Sequence, residues 1–161
     1  MKIILHKYSA ALLASACLIS TAGISFGEPA AAETATITAT VEEFHKMLAA
    51  GVRDRVMSLF LPDALIVEAG TVQTRDEYQR EHLAEDIAFA RTAPSTQRDV
   101  VVRQEGDVAW VTSTFRVTGK FQEKPIDNIA AETMVLTKTP EGWRIRAIHW
   151  SSHETKGKSI N

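Results

Sequence analysis

Three regimes of apolar patterning follow one another along this chain. Tyr8 to Phe26 is an uncharged, largely apolar run. From Val41 to Arg91 apolar residues return every three or four positions, the period of a helix with one buried stripe. From Gln97 onward they alternate with polar residues, the period of a strand with one face on a core. The helical part divides further. Thr40-Val41-Glu42-Glu43 has the form of a capping box and opens a first helix with Val41, Phe44 and Leu48 on its stripe, ending near Gly51. A short second helix carries Val52, Val56, Leu59 and Phe60 and stops at Pro62-Asp63. Ala64 to Glu68 is a short β-rich run closed by an Ala69-Gly70 turn. A second capping box, Thr74-Arg75-Asp76-Glu77, opens a third helix over Arg75 to Arg91. Four strands then follow over Gln97–Gln104, Val108–Lys120, Ile129–Lys138 and Trp143–His153, with turn residues between them. Three helices before four strands with short reversals predict an α+β domain: an antiparallel meander with helices on one side.

Candidate chemistry lies where polar residues break these patterns. On the third helix, His82 and Asp86 fall within the half of the circumference that holds Tyr78, Leu83, Ile87 and Phe89. A buried carboxylate is costly unless it is paired or bound. The pair therefore reads either as a self-satisfied structural contact or as one wall of a pocket. On the last strand, strict alternation puts His149 and His153 on the face of Trp143 and Ile145, and Ile148 and Trp150 on the opposite face. The first face then presents His149 to the interior, and the second offers Trp150 and Ile148 as an apolar patch for a second copy. Glu68 shares a face with Ala64 and Ile66 at the end of its run. His45 flanks the first helix's stripe and reads as an edge residue. The expected site gathers His82, Asp86 and His149 as acid–base groups, with Tyr78, Phe89, Trp143 and Ile145 as walls and Glu68 at the edge.

Composition narrows the functional classes. The 161 residues carry a net charge of −2 with no basic run, which argues against nucleic acid as a partner. Lys2 and Lys7, the apolar run and Ala30-Ala31-Ala32 give residues 1–32 the form of a cleaved export signal, and the expected compartment is periplasmic or extracellular, with no membrane attachment after cleavage. Cys17 is the single cysteine, and its surroundings only loosely match a lipid-attachment site. With that segment removed, disulfides and thiolate catalysis are excluded. Residues 33–39 read as a flexible leader, 40–153 as the domain and 154–161 as a loose tail.

The order helix, helix, short hairpin, helix and four strands resembles the nuclear transport factor 2-like superfamily, most closely its SnoaL-like and ketosteroid-isomerase-like branch. The residues that carry the likeness are Leu59-Phe60-Leu61-Pro62-Asp63-Ala64, Thr133-Met134-Val135-Leu136, and Glu141 to Ile145 through His149-Trp150-Ser151. The resemblance implies a cone, a strongly curved sheet around the long third helix with a cavity between, and dimers that pack through the outer sheet face. It does not fix a chemistry. Tyr78 cannot be matched to the tyrosine of the isomerases, and no aspartate matches their oxyanion acid, so steroid isomerisation is disfavoured.

Three functions stay open on these grounds: an exported module that binds a small ligand or metal, an isomerase- or lyase-type enzyme using a His/Asp pair on a small apolar molecule, and a non-catalytic dimeric interaction domain. A metal version rests on His82, His149 and Glu68, which would suit a zinc or copper ion. His149 and His153 lie ~13 Å apart along an ideal strand at about 3.3 Å per residue, too far to share one ion.

Overall fold

In the computed structural model, residues 31–155 are described. The segment read as an export signal therefore lies outside them except for Ala31 and Ala32, as do Cys17 and residues 156–161. The α+β expectation is borne out, with a curled six-stranded sheet and helices against it.

Helix α1 runs Ala31–Ala50 and α2 Arg53–Ser58. The flexible leader expected at 33–39 is helical instead. Ile37 precedes Val41 by one turn, extends the buried stripe and is itself fully buried. The threonines that make this stretch look weakly helical turn their hydroxyls back onto the helix, as Thr38 does to Thr34 O and Thr40 to Thr36 O. Thr40 is thus inside the helix and caps nothing. The start of α1 is tied to the sheet by Glu33, whose Oε1 accepts from Trp143 Nε1 at 3.1 Å and from Lys138 Nζ at 2.7 Å.

Strand β1, Phe60–Glu68, pairs with the short β2, Thr71–Thr74. Thr74 then caps α3 as expected: its Oγ1 accepts from Glu77 N and its own N–H donates to Glu77 Oε2 at 2.8 Å. The third helix is not continuous. It breaks at His82 into α3, Arg75–Glu81, and α4, Leu83–Thr92, so the three expected helices are four. Each piece buries its own anchors, Tyr78 on α3 and Leu83 and Ile87 on α4.

The long strands are β3 Ser95–Glu105, β4 Val108–Phe121, β5 Lys124–Thr139 and β6 Gly142–Glu154, in the order β2-β1-β6-β5-β4-β3. All neighbours are antiparallel except β1 and β6, which run parallel. Strand β6 ends firmly rather than in a loose tail: Glu154 is in the strand, and Thr155 N donates to Asp127 O at 2.8 Å. Gly119 on β4 passes so close to the end of α4 that a Cβ there would lie 2.3 Å from Thr92 O.

One irregularity decides which residues face inward. Opposite β5, Val135 pairs with Ala147 but Leu136 pairs with Ile145, so β6 holds one extra residue, Arg146. Such a bulge reverses the face of every residue beyond it. Trp143 and Ile145 point inward, as alternation predicts. Beyond Arg146 it is Ile148 and Trp150 that point inward, and His149 is exposed on the outer face. Both expectations for the distal half of this strand are corrected. His149 is not an interior group, and Trp150 and Ile148 are not an outer patch.

Candidate functional site

Inner-facing residues line up in rows across the sheet, read from the strand register. Ala109, Leu136 and Ile145 form one row, and Val111, Met134, Ile148 and Ile66 the next; these rows are close-packed core. The following row is polar: Ser113 on β4, Glu132 on β5, Trp150 on β6 and Glu68 on β1. Beyond it the sheet and helices part to leave a cavity of about 580 Å³. Phe115, Val117 and Ala130 from the sheet, and Phe89, Ala90 and Ala93 from the α4 end, give it an apolar wall. The polar row is the boundary between packed core and cavity.

Glu132 is the centre of that row. Its side chain is wholly buried, and burial of a carboxylate requires donors. Trp150 Nε1 donates to Oε2 at 2.8 Å, and His45 Nε2 lies 3.2 Å from Oε1, with Ser113 Oγ at a longer 3.5 Å. His45 comes from α1 and packs its ring against Phe115, at 5.2 Å between centroids. Trp150 is held in turn by stacking on Phe44 at 6.2 Å.

Asp86 reaches the cavity from α4 and accepts a hydrogen bond from the Tyr78 hydroxyl at 2.8 Å. Burial raises its proton affinity, against the lowering pull of that hydrogen bond and of the His82 charge. Glu68 lies at the cavity edge, and no hydrogen bond to its side chain is found among the described residues. The residue is exposed overall, yet loss of solvent on its cavity side raises its carboxyl too, and the Asp86 charge adds to the effect. Tyr78 is almost fully buried, so its hydroxyl is pushed well above the ordinary phenol value. That hydroxyl is committed to Asp86.

The expected site is therefore brought together only in part. Glu68, Asp86 and Phe89 line the cavity as predicted. Tyr78 stands behind it, touching through Asp86. His82 is exposed at the break between α3 and α4; one uninterrupted helix would have turned it inward, and Asp86 pairs with Tyr78 rather than with it. His149 is exposed by the bulge, so both histidines reach the carboxylates only as charges, His82 on Glu68 and Asp86 and His149 on Glu68. Trp143 and Ile145 belong to the core rows away from the cavity. Among the described residues no group of three or more histidine, cysteine, aspartate or glutamate side chains is arranged to hold a metal ion, so the set His82, His149 and Glu68 does not form one.

His45 and Glu132 were not predicted. Glu132 carried a legible signal, since it shares the β5 face of Met134 and Leu136, and an acid in an apolar stripe needs a partner. His45 carried none, because its partner is 87 positions away.

The SnoaL-like domain family matches residues 37–153. Among solved structures, a candidate ketosteroid isomerase from Shewanella frigidimarina is similar at 30% identity, covering 72% of this chain and 94% of that one, with a TM-score of 0.68. A candidate dehydratase of the nuclear transport factor 2-like family from Streptomyces avermitilis is similar at 20% identity, covering 77% and 98%, with a TM-score of 0.68. The CaMKII hub from S. rosetta shares the fold at 22% identity, covering 79% and 98%, with a TM-score of 0.66. Comparison with curated proteins gives no match. With residues 37–153 matched, most of its length, this chain belongs to the SnoaL-like domain family, within the nuclear transport factor 2-like superfamily.

Proposed function

We propose that the domain binds a small, largely apolar organic molecule in its cavity and transfers a proton on it, as an isomerase or lyase does. The observation that carries this is that two separately held proton-handling pairs, His45 with Glu132 and Asp86 with Tyr78, open on one apolar-walled space. Glu132 orients His45. With the carboxylate ionised, the imidazole proton sits on Nε2, and the neutral ring keeps Nδ1 free as a base. Asp86, raised by burial, is suited to carry the proton as the partner acid. In such a cycle His45 removes a proton from a carbon made acidic by its neighbour, Asp86 gives one back at a second position or to a leaving oxygen, and water then takes the proton from His45 and returns one to Asp86.

The test is deuterium uptake. The purified protein is incubated in D₂O with a panel of small cyclic ketones and hydroxyketones, and exchange is followed by mass spectrometry. Exchange above background that falls about a hundredfold or more in His45→Ala supports the reading. Exchange that is the same in His45→Ala and Asp86→Asn rejects it. Binding without exchange would favour a carrier module, a reading that the full set of donors around Glu132 also supports.

Two further proposals complete the picture. The Lys2–Lys7 start, apolar run and small residues of 1–32 support export; N-terminal sequencing of the processed protein tests it. The outer sheet face supports a homodimer, through residues other than those alternation had offered. Trp110, Val135, Ala147 and Leu65 make one outward row across β4, β5, β6 and β1.

A further inference from the structure

We infer that the ligand of this cavity carries a protonated amine on its apolar body, seated between Glu68, Asp86 and Trp150. The inference rests on the cavity being a small-molecule site and adds the chemical class. Its first support is the charge around the space. Carboxylates enter from three elements, Glu68 on β1, Asp86 on α4 and Glu132 on β5, and an anion would be repelled by all of them. Against them stand His45, already committed to Glu132, and Lys46 of α1, which also lines the cavity but is exposed to water. His82 and His149 reach Glu68 only from outside the cavity, and Glu85 adds another negative charge there.

The second support is which oxygens remain unspent. Glu132 has its donors and Asp86 has the Tyr78 hydroxyl, but Glu68 has no hydrogen-bond partner among the described residues. Glu68 is exposed and lines the cavity, so its oxygens are committed to no protein group and stand free to accept from a ligand's donor. An ammonium brings three donors and a charge, enough for Glu68 and the free lone pairs of Asp86 together. The third support is the indole. Trp150 pairs with Glu68 on one side and Glu132 on the other across the sheet, so an aromatic ring lies between acids at the inner end of the cavity. Carboxylates beside an aromatic ring are the surroundings that hold organic ammonium groups. Loss of solvent raises both Glu68 and Asp86, the Asp86 charge adds to it at Glu68 and the Glu85 charge at both, and an arriving cation draws both carboxyls toward the ionised form.

The test uses three probes of one shape, phenethylamine, phenethyl alcohol and hydrocinnamate, titrated calorimetrically into the purified protein. The amine is expected to bind roughly tenfold tighter than the alcohol, the worth of one charge-assisted hydrogen bond, and the carboxylate weakest. The preference shrinks as salt is raised. Glu68→Gln and Asp86→Asn, both close to isosteric, each reduce amine binding by a larger factor than they reduce alcohol binding. The double variant Glu68→Gln/Asp86→Asn abolishes the preference. Alcohol or carboxylate binding equal to or tighter than the amine overturns the inference and leaves the proton-transfer reading standing. So does an amine preference that survives in the double variant. Binding of none of the three overturns both readings.

Discussion

Burial raises the proton affinity of Asp86, while the Tyr78 hydroxyl and the His82 charge pull it back. Burial wins, so the folded chain holds this proton more tightly than the unfolded chain does. The sign follows from linkage. Asp86 contributes stability that is fully present below its unfolded value, about 3.9, and is lost as pH rises through the raised folded value. Glu68, also raised, acts in the same direction. The groups that set this balance are Tyr78 from α3, Glu68 from β1, and His82 and Glu85, both just before Asp86 in the chain, with His149 of β6 reaching Glu68. Asp86→Asn keeps an oxygen for the Tyr78 hydroxyl but cannot ionise. Its stability relative to the parent should rise with pH through that window and level off above it, read from urea midpoints across the acid range. A difference constant with pH would mean that Asp86 keeps an ordinary carboxyl. At this scale the sequence was a partial guide. An aspartate amid Tyr78, Ile87 and Phe89 was visible as an anomaly, but its partner was misassigned. The nearest histidine in sequence was chosen over a tyrosine eight positions back.

Among the elements, β6 and the broken third helix explain most of what moved. The one extra residue at Arg146 turns the distal half of β6 over, bringing Trp150 to Glu132 and sending His149 outward. Two variants separate the backbone effect from the side chain. Arg146→Ala loses contacts to Thr137 Oγ1 and Asp63 Oδ2, both exposed, and should cost no more than about 1 kcal/mol. Deleting Arg146 restores strict alternation and would put Ile148 and Trp150 into water and His149 into the core. The expected result is loss of the cooperative thermal transition, beyond the roughly 4 kcal/mol that marks an exceptional single change. A deletion variant that melts within a few degrees of Arg146→Ala would show that the bulge does not set the face. The break at His82 acts in the same way on the helix. By separating Tyr78 from Leu83 and Ile87 into two independently packed pieces, it leaves the residue between them exposed. Neither proline nor glycine marks the break, and the bulge has no glycine either.

At the scale of the whole molecule, the sheet has two kinds of face. The inner one closes on α1 and the α3–α4 pair; the outer one carries the row Trp110, Val135, Ala147 and Leu65, the last 42% exposed. If that row is the contact between two copies, Val135→Arg places like charges against each other across the two-fold axis. Sedimentation at micromolar concentration should then show a dimer for the parent and a monomer for the variant, with the parent's far-ultraviolet spectrum retained. A parent that sediments as a monomer removes the dimer. The sequence by itself determined the fold class, because hydrophobic period is a local property: 3.6 before Arg91 and two after Gln97 can be read without knowing any partner. It also determined the second capping box, whose groups are three residues apart. It did not determine the parallel pairing of β1 with β6, the partnership of His45 with Glu132, or the inward turn of Trp150. Those depend on which strands meet and in what register. One residue of register reverses a face, and tertiary packing chooses the register that buries Ile148 and Trp150 and leaves His149 in water.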